Sequence, residues 1–236
     1  MTVRFRVAAA AAIVFGAALA AAGGDGAGQT FTPQEALGLL RAGNDRFARN
    51  ASTPASLSVN RRQELAAGQH PAAMVLSCAD SRVPPEHVFN VGLGDLFVIR
   101  TAGEVIDKSI LATLEYGAEH LHIPLLVVMG HESCGAVAAA AQAKGEATST
   151  NMAYLLKAIQ AARRQPRQER EEIRDLILAN VEQVINDAIS GSPVLPRMVD
   201  TGQLGIVGAY YELVSGRVMF SDLIGSDNRA HRAERR

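Results

Sequence analysis

Apolar and polar positions fall into two kinds of block along this chain. Short apolar runs at 72–77 (AAMVLS), 95–100 (DLFVIR) and 124–130 (PLLVVMG) have the length and composition of buried strands. Between them lie longer stretches with apolar residues at helical spacing. One starts at Thr32-Pro33-Gln34-Glu35, where Thr32 can cap, Pro33 suits the first turn and Glu35 completes a capping box; Ala36, Leu39, Leu40 and Phe47 follow. A second spans 107–121, with Ile110, Leu111, Leu114 and Ala118 on one stripe. A third spans 168–190, with Ile173, Ile177, Val181, Val184 and Ala188. Shorter helices are expected at 60–67, 134–143 and 151–162. Two last strands, 205–212 and 217–221, meet at a Ser215-Gly216 turn and suit an antiparallel edge hairpin. Strands alternating with helices predict an α/β fold: a mainly parallel central sheet flanked by helices, in one domain over 32–224.

Residues 1–31 follow neither pattern. Arg4 and Arg6 precede an apolar run from Val7 to Ala20, and Ala18-Leu19-Ala20 and Ala20-Ala21-Ala22 offer small-x-small cleavage sites. The run is shorter than the roughly 20 residues of a membrane span. A cleaved secretory signal over 1–22 is therefore expected, with 23–31 a flexible linker and 225–236 a polar tail. That predicts a periplasmic or secreted protein with no membrane span after cleavage.

Charge and cysteine content narrow the chemistry. The 236 residues carry a net charge of −1, which gives no electrostatic case for nucleic acid. Two cysteines exclude a disulfide-dense scaffold and a four-cysteine metal site. One disulfide, two buried thiols, or a mixed Cys/His site remain open.

Both cysteines follow apolar runs, at the expected carboxyl ends of strands, where open α/β sheets bind ligands. The first block is Cys78-Ala79-Asp80-Ser81-Arg82-Val83-Pro84-Pro85-Glu86 and the second Gly130-His131-Glu132-Ser133-Cys134-Gly135-Ala136. His131 and Cys134 are three apart and would face one way if a turn or helix starts there. Cys78, His131 and Cys134 would make a Cys₂His set, three ligands with an open fourth position as in catalytic zinc sites. Asp80 and Arg82, two apart on an extended backbone, would point to one side beside Cys78. A carboxylate with its own guanidinium suits a metal centre better than a disulfide. A thiol redox protein is the weaker alternative, because no C-x-x-C pair exists.

The blocks C-A-D-S-R-V-P-P-E and H-E-S-C-G-A resemble the β-class carbonic anhydrases, whose motifs are C-x-D-S-R and H-x-x-C. The similarity extends through 94–103, 114–121, 124–136 and 206–211. It implies one zinc ion per chain held by Cys78, His131 and Cys134, with Asp80 and Arg82 as catalytic dyad and Asp80 a conditional fourth ligand. It implies reversible hydration of carbon dioxide to bicarbonate and a proton by zinc-bound hydroxide, and a homodimer or homotetramer. Asp80 would accept a hydrogen bond from the hydroxide while Arg82 holds Asp80 ionised. Val83, Phe97 and Tyr116 are candidate walls for the substrate. Thr101 and Glu104 stand where many members carry Asn, so polarity near the site differs. Without Trp, a regulatory bicarbonate pocket that uses one is not expected. The alternatives are a non-catalytic zinc protein on the same fold and a relative acting on carbon disulfide or carbonyl sulfide.

Overall fold

A computed structural model of the chain describes residues 31–53, 56–143, 147–162 and 173–226. The expected signal at 1–22, the linker up to residue 30 and the tail beyond 226 lie outside the described residues.

Strand β1 (Ala73–Cys78), β2 (Leu96–Thr101), β3 (Leu125–His131), β4 (Gly205–Tyr211) and β5 (Val218–Phe220) form one sheet in the order β2-β1-β3-β4-β5. All pairings are parallel except β4 with β5, the expected edge hairpin. The helices are α1 (Pro33–Ala48), α2 (Val59–Leu65), α3 (Pro85–Val88), α4 (Lys108–Glu119), α5 (Gly135–Gln142), α6 (Thr150–Gln160), α7 (Ile173–Gly191) and α8 (Val194–Asp200). Thr32 caps α1 through the capping box anticipated from its sequence. Asp107 accepts the Ile110 amide at the start of α4.

Side-chain alternation along the strands divides the core into two layers. Ala73, Val75, Leu125, Val127, Met129, Val207 and Ala209 join α1, α3, α5 and α6 on one face. Met74, Leu76, Leu126, Val128 and Ile206 join α4, α8 and the C-terminal half of α7 on the other. Helices α3 and α8 and a 3-10 turn at Ala102–Glu104 were not evident from periodicity. Each is too short to show a repeat.

The strand order positions the site. From β1 the chain crosses to β2 on one side; from β3 it crosses to β4 on the other. Adjacent strands whose connections leave in opposite directions open a crevice at their carboxyl ends. Cys78 ends β1 and His131 ends β3.

Candidate metal centre

Cys78, His131 and Cys134 converge in that crevice, with ligand atoms all within 4.8 Å of one another and all three residues buried. The cysteines are free, their sulfurs 3.9 Å apart. Two sulfurs bound to one tetrahedral zinc at about 2.3 Å each would lie about 3.8 Å apart.

His131 gives the clearest sign that this cluster is built to receive an ion. Its side chain is fully buried, and its Nδ1 lies 2.8 Å from the Glu132 carbonyl. With Nδ1–H donating there, Nε2 is left as a lone pair, and it finds no hydrogen-bond partner among the described residues. A buried ring nitrogen without a partner is costly. A cation beside it and two thiolates satisfies it, so the residues present fit a zinc ion.

His131 and Cys134 converge through a turn, one of the two routes the spacing allowed, rather than on a helical face. His131 is the last residue of β3 and Cys134 the N-cap of α5. Between them Ser133 has a φ of 55°, a left-handed reversal that turns the chain back. The Glu132 amide donates to Tyr211 O, and Glu132 Oε2 accepts the Leu213 amide, which holds the turn against β4.

Asp80 and Arg82 meet at the rim, by a route other than the one expected. They lie in a turn past the end of β1 rather than on an extended strand. Asp80 Oδ1 accepts the Arg82 backbone N–H at 2.9 Å, an Asx-type turn. The same oxygen accepts Arg82 Nε at 2.9 Å and Oδ2 accepts Nη2 at 2.6 Å, a two-toothed ion pair. Arg82 Nη2 also donates to the Ser133 carbonyl, tying the first motif to the second. Hydrogen bonding from Arg82 holds the Asp80 carboxyl well below the usual range, against a smaller opposing effect of burial. Asp80 Oδ2 stands 3.8 Å from His131 Nε2, so the carboxylate borders the three-residue cluster.

Electrostatics divide the sulfurs. Cys78 is favoured as thiolate, chiefly by a hydrogen bond from the Cys134 thiol, helped by His131 and by the Gly103 amide at 3.4 Å. Cys134 is pushed up in turn by that neighbour and by burial. Burial works to lower His131, but the Cys78 sulfur, the Glu132 carbonyl and Asp80 together outweigh it and the net shift is upward.

Three residues that the motifs did not single out support the site. Arg100, at the end of β2, donates to the carbonyls of Cys78 and Asp80 and clamps the turn that carries them. Its only sequence signal was a charged residue closing an apolar run. Gly103 has a φ of 63°, which orients its amide toward Cys78. Asn180, buried on α7, donates to both Gly103 O and Glu104 Oε1. Glu104 itself, expected only to alter local polarity, is 1% exposed. Burial raises its carboxyl to about 8.

Of the three expected wall residues, Val83 shares the buried layer of both sulfurs. Phe97 packs with the opposite layer. Its ring lies tilted against that of Tyr116, which is 47% exposed. Those two do not line the centre, because the strand pleat sends the Phe97 side chain to the face covered by α4. His87, the histidine nearest the first motif, is exposed on α3.

A family model described as carbonic anhydrase matches residues 73–218, a span that takes in every residue of the cluster and its rim. The chain belongs to the carbonic anhydrase family. It is 38% identical over 200 residues to carbonic anhydrase 2 of Mycobacterium tuberculosis, an alignment covering 82% of this chain and 95% of that protein. Its fold is that of the β class. The β-carbonic anhydrase of Coccomyxa superposes with a TM-score of 0.65 at 23% identity, covering 86% of this chain and 92% of the other. A β-carbonic anhydrase of Sordaria macrospora, described as tetrameric, superposes with a TM-score of 0.60 at 24% identity, covering 79% and 95%.

Proposed function

We propose that this carbonic anhydrase holds one zinc ion on Cys78, His131 and Cys134, with Asp80 and Arg82 as its working pair in the reversible hydration of carbon dioxide. The observation that carries the metal assignment is the unpartnered, buried Nε2 of His131 facing two sulfurs 3.9 Å apart. Bound there, zinc supplies Lewis acidity that lowers the pKa of water towards about 7, less strongly with two charge-donating thiolates than with histidines.

The remaining steps belong to the chain. Asp80, ionised at any working pH, can only accept hydrogen bonds. At the edge of the cluster it takes the proton side of an attacking hydroxyl group and leaves the oxygen lone pair for the carbon of the substrate. Arg82 holds both carboxylate oxygens, so Asp80 keeps one orientation. For Asp80 to become a fourth ligand it would have to give up those bonds, so the three-ligand arrangement is the one this pairing favours. The intact Asp80–Arg82 pair beside the cluster favours the catalytic reading over a non-catalytic zinc protein.

A homodimer or homotetramer is proposed as the assembly. The supporting observation is edge strand β2 and the adjoining α4, where half-buried Phe97 of β2 and exposed Tyr116 of α4 present apolar surface. Light scattering on the purified protein tests it. Export to the periplasm or exterior is proposed from Arg4, Arg6 and the apolar run 7–20. Cell fractionation with the intact mass of the recovered protein tests cleavage near residue 22.

The deciding experiment pairs metal analysis with stopped-flow carbon dioxide hydration. About one zinc per chain with turnover abolished by chelation is expected. A zinc-loaded protein without hydration activity would overturn the catalytic reading. A metal-free, disulfide-bonded protein would overturn the metal assignment.

A further inference from the structure

Beneath the sulfurs lies a second polar group that the proposed reaction does not use. Glu104 and Asn180 are each 1% exposed, and Ile177 and Val181 of α7 pack nearby against Gly130. Such groups are kept buried only at a cost, and they are hydrogen-bonded where the fold can manage it. Asn180 Nδ2 donates to Gly103 O at 2.8 Å and to Glu104 Oε1 at 3.0 Å. Glu104 Oε2 has no partner among the described residues. The turn bearing both acceptors is strained: Glu104 has a φ of 46°, unusual for a residue with a side chain. Gly130 of β3 makes room chiefly for Ile177 and Val181, whose methyls a Cβ there would meet at 2.8 Å, and leaves Glu104 Oε1 3.3 Å from that position.

Left-handed backbone, a buried acid and an oxygen unpartnered among the described residues are three destabilising features at one residue, Glu104. All converge on one output. The Gly103 N–H points at the Cys78 sulfur, 3.4 Å away. The carbonyl of the same residue is pinned by Asn180, and Asn180 is oriented by the neighbouring carboxyl.

We propose that Asn180 and Glu104 are positioning residues for the metal centre: together they hold the Gly103 amide on the Cys78 sulfur and so set how much charge that sulfur donates to the metal. This rests on the zinc assignment above. An N–H donated to a thiolate withdraws electron density from it. Cys78 is then the weaker donor of the pair, and the centre is left more acidic than two unmodified thiolates would leave it. Hydrogen bonds to metal ligands typically change metal affinity by about 10- to 100-fold. Glu104 acts here as an acceptor that turns the Asn180 amide, so an amide in its place should serve as well.

The test uses the full protein loaded with cobalt(II), whose thiolate-to-metal charge-transfer absorption reports sulfur donor strength, together with zinc release to excess EDTA. In Asn180→Ala the charge-transfer band should move to longer wavelength and zinc should leave more slowly, because Cys78 loses the N–H that weakens it as a donor. Glu104→Gln should keep the wild-type band and rate. Glu104→Gly, which removes the carboxyl and relieves the left-handed strain, should shift the band the same way by less. The double variant should shift no further than Asn180→Ala alone. A wild-type band in Asn180→Ala overturns the proposal. If that variant does not fold, a wild-type band in Glu104→Gly does so. A Glu104→Gln shift as large as that of Asn180→Ala also overturns it, since the carboxyl would then act through its charge. Absence of thiolate bands in the wild-type cobalt protein would overturn the zinc assignment itself, a result distinct from any difference among variants.

Discussion

Asp80 and Glu104 are carboxylic acids on opposite sides of the same three-residue cluster, and their surroundings make them opposites. Asp80 sits at the rim with both oxygens taken by Arg82, and its acidity is increased. Glu104 sits beneath, fully buried with one oxygen unpaired, and is raised to about 8. A guanidinium two residues away stabilises the charge of the first. Loss of solvent destabilises the charge of the second, and one amide from Asn180 does not make good that loss. The rim acid is suited to meeting substrate as an anion; the floor acid is suited to holding backbone in place.

Removal of a ligand common to both sides should have the largest effect. Cys134→Ser should abolish zinc retention, measured by metal analysis after dialysis, and with it all hydration activity. Next, Asp80→Ala should keep zinc yet lose at least about 100-fold in carbon dioxide hydration. Unchanged turnover would remove the rim acid from the mechanism and collapse its contrast with Glu104. Metal removal in air should come third. With sulfurs only 3.9 Å apart, the chelated protein should form a Cys78–Cys134 bond and recover on adding zinc only after reduction. Prompt recovery without reductant would count against this.

The smallest effect concerns stability. A carboxyl raised in the folded protein binds a proton that the unfolded chain has already released. Stability therefore falls as pH rises from the ordinary Glu value of 4.5 to about 8, and levels off above. Glu104→Gln cannot lose a proton, so its Tm should decline less than wild type across that window, by a few degrees. Parallel Tm profiles would show that Glu104 is not held protonated. Asp80 carries the opposite sign. Its contribution is present above the ordinary carboxylate range and is lost only as pH falls through its depressed value, so Arg82→Ala should move that acid limb upward.

How much of this could be read beforehand depended on whether the signal was local. The strands ending in Cys78 and His131 were legible because unbroken apolar runs of that length suit a sheet covered on both faces. The capping box of α1 and the β4–β5 hairpin were legible for the same reason: each is decided within a few residues. The short helices α3 and α8 were missed because four and seven residues carry no usable period. Phe97 and Tyr116 do not reach the centre because the pleat of β2 sends Phe97 to the face covered by α4, and Tyr116 lies on α4 itself. Asn180 gave no sign at all. It sits on an amphipathic helix among Ile177 and Val181, and its meaning comes from a turn 76 residues away in sequence.

By itself the sequence determined the α/β class, the strands that end at the centre, and the residue types that could hold a metal there. These are short-range matters of hydrophobic period and of which side chains carry lone pairs. The tertiary structure decided the rest. Strand order put Cys78 beside His131, and a left-handed Ser133 turned Cys134 inward. An Asx turn, rather than the strand pleat, joined Asp80 to Arg82. Burial beside α7 raised Glu104 while Arg82 at the rim lowered Asp80, so two carboxyls of similar chemistry took opposite character, because proton affinity is set by distance to charge and to water.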